Sequence, residues 1–282
     1  MTDQADTLSP RLALQPHFRK PKLDSPFQSR LEELGILQDW YDWAGYKAPM
    51  SLWDEELEYF AIRSQAALFD ISPMLKYRIE GQGAEAFLDR LTLRNVTKLK
   101  PGRVHYTAWC DDDGHVLDDG TLFRLSATRF RLCCQERHLP WLLDSAFGFD
   151  VEIEEETEQV AGLALQGPTA WSVLDAAGFA GAEALKPFDI ATFPHDGGEA
   201  AISRTGFTGD LGYELFVPVG SVVRCRRTLR SARHRLCGAQ PRPHRGGPDR
   251  RERRFRHRRA CDPRRPCAHA RRDRPLLHGR PE

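Results

Sequence analysis

The apolar patterning that a chain needs in order to bury a core runs out at Val223. Residues 224–282 contain no Val, Ile, Met, Trp, Tyr, Lys or Asn and a single Phe. Arg, Pro, Ala, His, Gly and Cys take their place, and neither a helical nor a strand period survives. So little apolar material cannot offset the entropy of ordering the segment. Charge divides at the same point. Residues 221–282 carry 21 Arg against five acidic residues, a formal +16, whereas residues 1–220 carry −15. The whole-chain value of +1 conceals two unlike halves. The folded domain is therefore expected over residues 31–220, after a polar, proline-containing extension over residues 1–30 and before an Arg/Pro-rich tail over residues 221–282.

Three readings of the tail can be weighed. A basic arm could neutralise phosphates, but stacking aromatics are nearly absent and Lys is missing, which argues against nucleic acid as a partner. Cys261, Cys267 and His269 match no usual zinc spacing. Arg, Pro, Ala and Gly use GC-rich codons, so a GC-rich gene read in a shifted frame yields this bias; an aberrant or disordered tail is the reading favoured.

The rest of the chain narrows the class of protein. Its first residues, Met1-Thr2-Asp3-Gln4-Ala5-Asp6, are acidic and lack an apolar stretch, so no secretory signal is expected. No apolar run reaches the roughly 18 residues that cross a bilayer. Seven cysteines without framework spacing suit a reducing compartment, and a cytoplasmic protein is expected. No HExxH, paired CxxC or Gly-x-Ser-x-Gly motif occurs, so no metal site is expected.

Periodicity outlines the domain. Leu57, Phe60, Ala61, Ala67 and Leu68 suggest an amphipathic helix over residues 54–68. Leu75–Ile79 alternates as a half-buried strand would, and Ala84, Phe87, Leu88 and Leu91 recur at helical spacing. Short strands follow at Val104–Cys110, His115–Leu117, Thr121–Leu125 and Arg129–Cys134, with a turn at Asp111-Asp112-Asp113-Gly114. A helix is expected over Arg137–Ala146, strands near Val151–Ile153 and Gly162–Gln166, and a helix opened by Gly167-Pro168 and running to Leu174. A last strand pair, Ala200–Ser203 and Tyr213–Val217, brackets a glycine-rich loop. Strands and helices mix without strict alternation and the pairing looks antiparallel, which gives an α+β fold.

Two places could carry chemistry. Asp118-Asp119-Gly120 either forms a second turn or lies in one continuous strand. In the strand, the two carboxylates point to opposite faces, one into a pocket and the other towards solvent or a backbone cap. The loop Arg204–Glu214 has three glycines in seven residues, which permit positive φ or close approach to a ligand. Glu214 is then either an exposed residue of a hairpin or a carboxylate that accepts two N–H groups from a flat heterocycle. Cys133-Cys134 reads as part of a buried strand.

Taken in order, several segments resemble the glycine cleavage T-protein family of aminomethyltransferases. They are Leu68-Phe69-Asp70-Ile71-Ser72 with Met74, Asn95-Val96 with Lys98–Gly102, and Gly114–Asp119. Leu163–Pro168, Lys186-Pro187-Phe188 and Arg204–Glu214 continue the series. The resemblance implies ferredoxin-like layers and a later β-barrel around a central folate channel, with the barrel missing here and replaced by the tail. It implies tetrahydrofolate with its pterin buried. Asp118 is then the carboxylate near the reactive pterin nitrogens, Glu214 holds the pterin edge, and Met74, Gln135 and Phe207 add folate contacts. Three departures stand out. Gln135 takes the place of an Asn that often follows the strand Arg129–Cys134 in the family. Pro73 occupies the position of a family His, and the segment Glu136–Trp141 is several residues shorter. The implied reaction moves a one-carbon unit to N5 of tetrahydrofolate, in the family from an aminomethyl group on the lipoyl arm of H-protein. Alternatives are folate-dependent demethylation of a methylated amine, ether or sulfonium compound, and non-catalytic folate binding.

Overall fold

The computed structural model describes residues 22–36, 39–195 and 198–221 of the chain. The expectations for the Arg-rich tail and for Cys261, Cys267 and His269 lie outside the described residues. Two five-stranded sheets dominate, and every pairing between the strands named below is antiparallel. Short helix α1 (Gln28–Leu34) leads into a separate hairpin, β1 (Asp39–Trp43) with β2 (Tyr46–Ser51). After α2 (Glu55–Ser64) come β3 (Ala67–Asp70), β4 (Leu75–Glu80), α3 (Ala84–Leu91), β5 (Arg103–Cys110), β6 (Val116–Arg124) and β7 (Arg129–Cys134). The remainder is α4 (Leu139–Ser145), β8 (Glu152–Glu155), β9 (Val160–Gln166), α5 (Ala170–Ala176), β10 (Ile190–His195), β11 (Gly198–Ser203) and β12 (Gly212–Pro218). One sheet runs β10-β11-β12-β9-β3 and the other β5-β6-β7-β4-β8. Among the described residues no helix is long and apolar enough to cross a membrane.

Strand alternation divides the apolar residues into three layers. Leu163, Leu165, Tyr213, Leu215 and Ile202 of the first sheet pack against Leu31 of α1 and Val173 and Leu174 of α5. Leu75, Tyr77, Leu122 and Leu132 of the second sheet pack against Phe87, Leu88 and Leu91 of α3 and Leu142 of α4. The opposite faces of the two sheets meet in a central layer, where Phe69, Ala164 and Phe216 face Val104, Phe123 and Cys133. Phe123 and Phe216 meet edge to face at 5.4 Å across that layer, the geometry that aromatic quadrupoles favour. Helix, sheet, sheet and helix are thus stacked, as an α+β fold built from antiparallel sheets requires.

Three local expectations change. Helix α2 ends at Ser64, and Ala67 and Leu68 already belong to β3. Its apolar positions Leu57 and Phe60 are more than half exposed, whereas Glu58 is buried. The Glu58 carboxylate accepts hydrogen bonds from the Leu52 and Trp53 amides, each at 2.9 Å, and so closes the turn between β2 and α2. A satisfied carboxylate outweighs the apolar stripe in setting the rotation of this helix. In β4, Lys76 sits where a half-buried strand would meet water, yet it has no exposed surface. Finally, Asp118-Asp119-Gly120 is not a turn: β6 runs unbroken through it, paired on both sides. Gly120 is needed there because a Cβ would lie 2.1 Å from the Cys133 carbonyl oxygen.

Candidate functional site

Register decides which acidic residue faces which layer. Asp118 stands opposite Trp109, and Asp119 opposite Ala108. Trp109 belongs to the layer between the second sheet and its helices, so Asp118 points there too. The resemblance implied a ligand-facing role for Asp118; its side chain lies on the helix-covered face of the second sheet, away from the central layer. Asp118 is buried, and its oxygens accept the Asp119 amide at 2.8 Å and the Glu136 amide at 3.0 Å. Its Oδ2 also lies 3.2 Å from His138 Nε2. Of the two roles that strand alternation left open, Asp118 takes the backbone cap.

Asp119 points the other way. It shares its face with Thr121 and Phe123, and hence with the central layer between the sheets. It is exposed at the rim of that face, where it accepts a hydrogen bond from the Tyr106 hydroxyl. Partial burial and the Asp119 carboxylate together raise the pKa of the Tyr106 hydroxyl well above the usual phenol value, so it remains a donor.

The facing sheet contributes the second carboxylate. Glu214 is paired with Ala164 and shares a face with Phe216, which places it in the central layer. It is 7% exposed, and Thr205 Oγ1 donates to its Oε2 at 2.6 Å. Burial raises its pKa above the usual carboxylate value, and the Thr205 hydrogen bond offsets part of that rise. Thr205 is held in turn by Ser203 at 2.6 Å.

Met74 packs against the same layer. It closes the Asp70–Met74 turn, which is fastened at several points. Ser72 exchanges hydrogen bonds with Gly162, its amide donates to Asp70 at 2.9 Å, and Ser25 donates its hydroxyl to Asp70. Lys76 Nζ donates to the Ser72 and Met74 carbonyls at 2.9 and 2.8 Å. Burial lowers the Lys76 pKa to about 8, against smaller opposing effects from Cys133 and Asp70. Pro73 is buried within this turn. Phe207 packs edge-on against Phe69 of the central layer at 5.4 Å. Gln135 is exposed, one residue beyond the end of β7.

The glycine-rich loop has a structural explanation. A Cβ at Gly206 or Gly212 would collide with the Gln166 side chain, at 2.2 and 2.3 Å, and Gly209 adopts a positive φ of 76°. These glycines therefore make room for a buried glutamine and a turn, the structural one of the two roles that the sequence left open for them. Gln166 Oε1 accepts from Thr208 at 3.1 Å. Cys133 and Cys134 are buried in β7 as expected, and burial raises the Cys133 thiol pKa to about 12 and that of Cys134 further still. Neither thiol is a nucleophile near neutral pH.

Met74, Glu214, Asp119 with Tyr106, and Phe207 thus all front one layer, while Asp118 does not. The sequence profile of the GCVT N-terminal domain matches residues 37–240. The chain belongs to this family. The aminomethyltransferase of Bacillus subtilis strain 168 is 37% identical over 180 residues, which cover 62% of this chain and 49% of that protein. The aminomethyltransferase of Streptomyces coelicolor is 34% identical over 180 residues, covering 62% of this chain and 48% of that one. Among solved structures, the glycine cleavage system aminomethyltransferase T of Bartonella henselae superposes with a TM-score of 0.68 at 28% identity. That alignment covers 78% of this chain and 60% of that one. This GCVT-family chain spans about half the length of the curated relatives it matches.

Tyr106 and His138 were not singled out from sequence. A strand residue two pairs along from Asp119 was the available signal for Tyr106, since diagonal neighbours on one face of an antiparallel pair lie within reach of a long side chain. His138 gave none.

Proposed function

We propose that residues 31–220, together with the preceding segment that carries Ser25 and the start of α1, form the folate-binding domain of a one-carbon transferase, with tetrahydrofolate as acceptor and residues 221–282 as a flanking segment. The observation that carries this reading is Glu214. It is a carboxylate buried in the central layer with one hydroxyl partner, in a chain of the GCVT family. Such a group is costly to bury without further donors. The adjacent N–H groups of a pterin edge would supply them, and a buried carboxylate rejects ring systems that lack them. The apolar side chains of Met74 and Phe207 suit the flat faces of such a ring. Gln135, at the exposed end of β7, would meet the folate nearer to solvent.

Tetrahydrofolate supplies the nucleophilic secondary amine. The chain's own contribution is to orient that amine and to stabilise the positive charge that develops on it. Asp119 rather than Asp118 would do this, because it faces the central layer with its carboxylate already held by Tyr106. As the amine forms its bond to carbon it gives up a proton, and Asp119 is the base placed to take it. On transfer from the lipoyl arm, the carbon–sulfur bond breaks with its electron pair on sulfur, which takes up a proton as a thiol, and the carbon–nitrogen bond breaks as the second folate nitrogen closes on the same carbon, so that ammonia leaves. The donor in the family is the aminomethyl group on a lipoyl carrier protein, and H-protein is the partner this reading names.

The test offers the full chain tetrahydrofolate and an H-protein whose aminomethyl carbon is ¹³C-labelled, with carbon NMR as the readout. The label should appear on the folate and ammonia should be released. Asp119→Asn should slow transfer by at least about a hundredfold, the scale seen when a charge-stabilising group is removed. Folate binding should survive that change. A chain that binds no tetrahydrofolate refutes the reading; one that binds it but moves no label from any donor reduces it to folate binding alone.

A further inference from the structure

Asp118 faces the helix-covered side of the second sheet, and three groups converge on its carboxylate. Its partners come from two segments. The Asp119 amide donates to Oδ1 at 2.8 Å, and the Glu136 amide donates to Oδ2 at 3.0 Å. His138 Nε2 approaches the same Oδ2 at 3.2 Å, and a carboxylate can only accept, so Nε2 is the donor. The His138 ring is fixed independently. It stands perpendicular to Trp109 with centroids 5.6 Å apart, and its backbone amide donates to the Tyr77 hydroxyl at 2.9 Å. Trp109 and Tyr77 have no appreciable exposure, so these anchors are rigid. His138 itself keeps 15% of its side chain exposed, and Asp118 keeps 8%.

The consequence reaches across the sheet. Asp119 presents its side chain to the central layer, but its backbone amide is tied to Asp118. The turn after β7, which carries Gln135, is tied to the same carboxylate through Glu136 and His138. We propose that Asp118 and His138 form a positioning pair that holds the Asp119 carboxylate and the residue 135–138 turn in fixed relation. His138 is then a determinant of the transfer step that never touches folate. This inference rests on the folate-transferase reading. Misplacing an acidic group by a fraction of an ångström costs rate more than affinity. Loss of the His138 donor therefore acts on turnover.

The full chain is tested with His138→Phe, which keeps a ring against Trp109 but removes the donor, and with His138→Gln, which restores a side-chain N–H. In His138→Phe the rate of one-carbon transfer should fall about tenfold, the scale of one lost hydrogen bond to a charged group. The Kd for tetrahydrofolate should stay within about twofold. His138→Gln should recover most of the rate. Independently of activity, amide exchange at Asp119 and Glu136 should accelerate in His138→Phe while Leu122 and Leu132 remain protected. An unchanged transfer rate in a chain that does bind and react overturns the positioning role and leaves the transferase reading intact. Rate and affinity falling together, with Leu122 and Leu132 deprotected, shows a fold defect and also overturns it. If the unmodified chain binds folate but transfers from no donor, unaltered exchange at Asp119 overturns the pair. A chain that binds no tetrahydrofolate refutes the functional reading and this inference with it.

Discussion

Lys76 offers a test of the central layer that needs no ligand. Its amine is fully buried, donates to two carbonyls, and titrates near 8 instead of the ordinary 10.5. The unfolded chain keeps this proton until about pH 10.5, so between the two values it binds more protons than the native state does. Stability must therefore rise with pH through that window. The gap amounts to a penalty of about 3 kcal/mol near neutral pH, of which about 1 kcal/mol is relieved between pH 8 and 9. The buried thiols act in the opposite sense. Cys133 is pushed up to about 12 from the ordinary 9.0, so the unfolded thiol ionises first and stability falls with rising pH beyond 9. Subtracting the Lys76→Met curve removes that background. Urea unfolding at pH 7, 8 and 9 under reducing conditions should show the unmodified chain gaining about 1 kcal/mol on Lys76→Met between pH 8 and 9. Parallel curves would mean that the amine is not desolvated and that the central layer is wetter than described.

Other perturbations probe single elements. Glu58→Ala leaves the Leu52 and Trp53 amides without their carboxylate and should cost about 3 kcal/mol in urea unfolding, with most of it restored in Glu58→Gln. An Ala there costing under about 0.5 kcal/mol would mean that water replaces the cap. Gly120→Ala drives a methyl into the Cys133 carbonyl and should lower the melting temperature by at least about 10 °C, since β6 and β7 cannot separate without breaking the sheet. A near-native melting curve would refute the close approach. Phe216→Ala removes one partner of the edge-to-face pair that joins the sheets and should cost about 3–5 kcal/mol, and its cycle with Phe123→Ala should show coupling rather than additivity.

Much of the fold was legible because strand alternation and helical spacing are local. Ala84, Phe87, Leu88 and Leu91 read as a helix face and all four are buried in one. β7, β9, β11 and β12 lie close to their expected places. The errors arise where a polar group is buried at a position whose type suggests water. Glu58 turned α2 over, and Lys76 made β4 a doubly buried strand, because each found partners that sequence spacing does not reveal. β10 is an edge strand that carries Pro194, a residue that argues against a strand in sequence, and it was not expected. The carboxylates show the same limit more sharply. Alternation correctly set Asp118 and Asp119 on opposite faces, but which face meets the other sheet depends on their pairing with Trp109 and Ala108, which alternation along β6 does not reveal. The glycines of residues 206–212 leave a turn and a ligand approach equally open in sequence, and the space beside two of them is filled by Gln166 of β9.

The measurement that bears most directly on the account is calorimetric titration of the full chain with tetrahydrofolate, alone and as Glu214→Gln. Gln keeps an acceptor for Thr205 but replaces the second oxygen with a donor and removes the charge. Saturable binding at one site should weaken by about ten- to a hundredfold in the variant, as expected for lost hydrogen bonds to a charged group. The melting temperature of the free variant should not fall, because a neutral side chain is cheaper to bury. No binding to the unmodified chain, or equal affinity in Glu214→Gln, would contradict the claim that the central layer holds a folate.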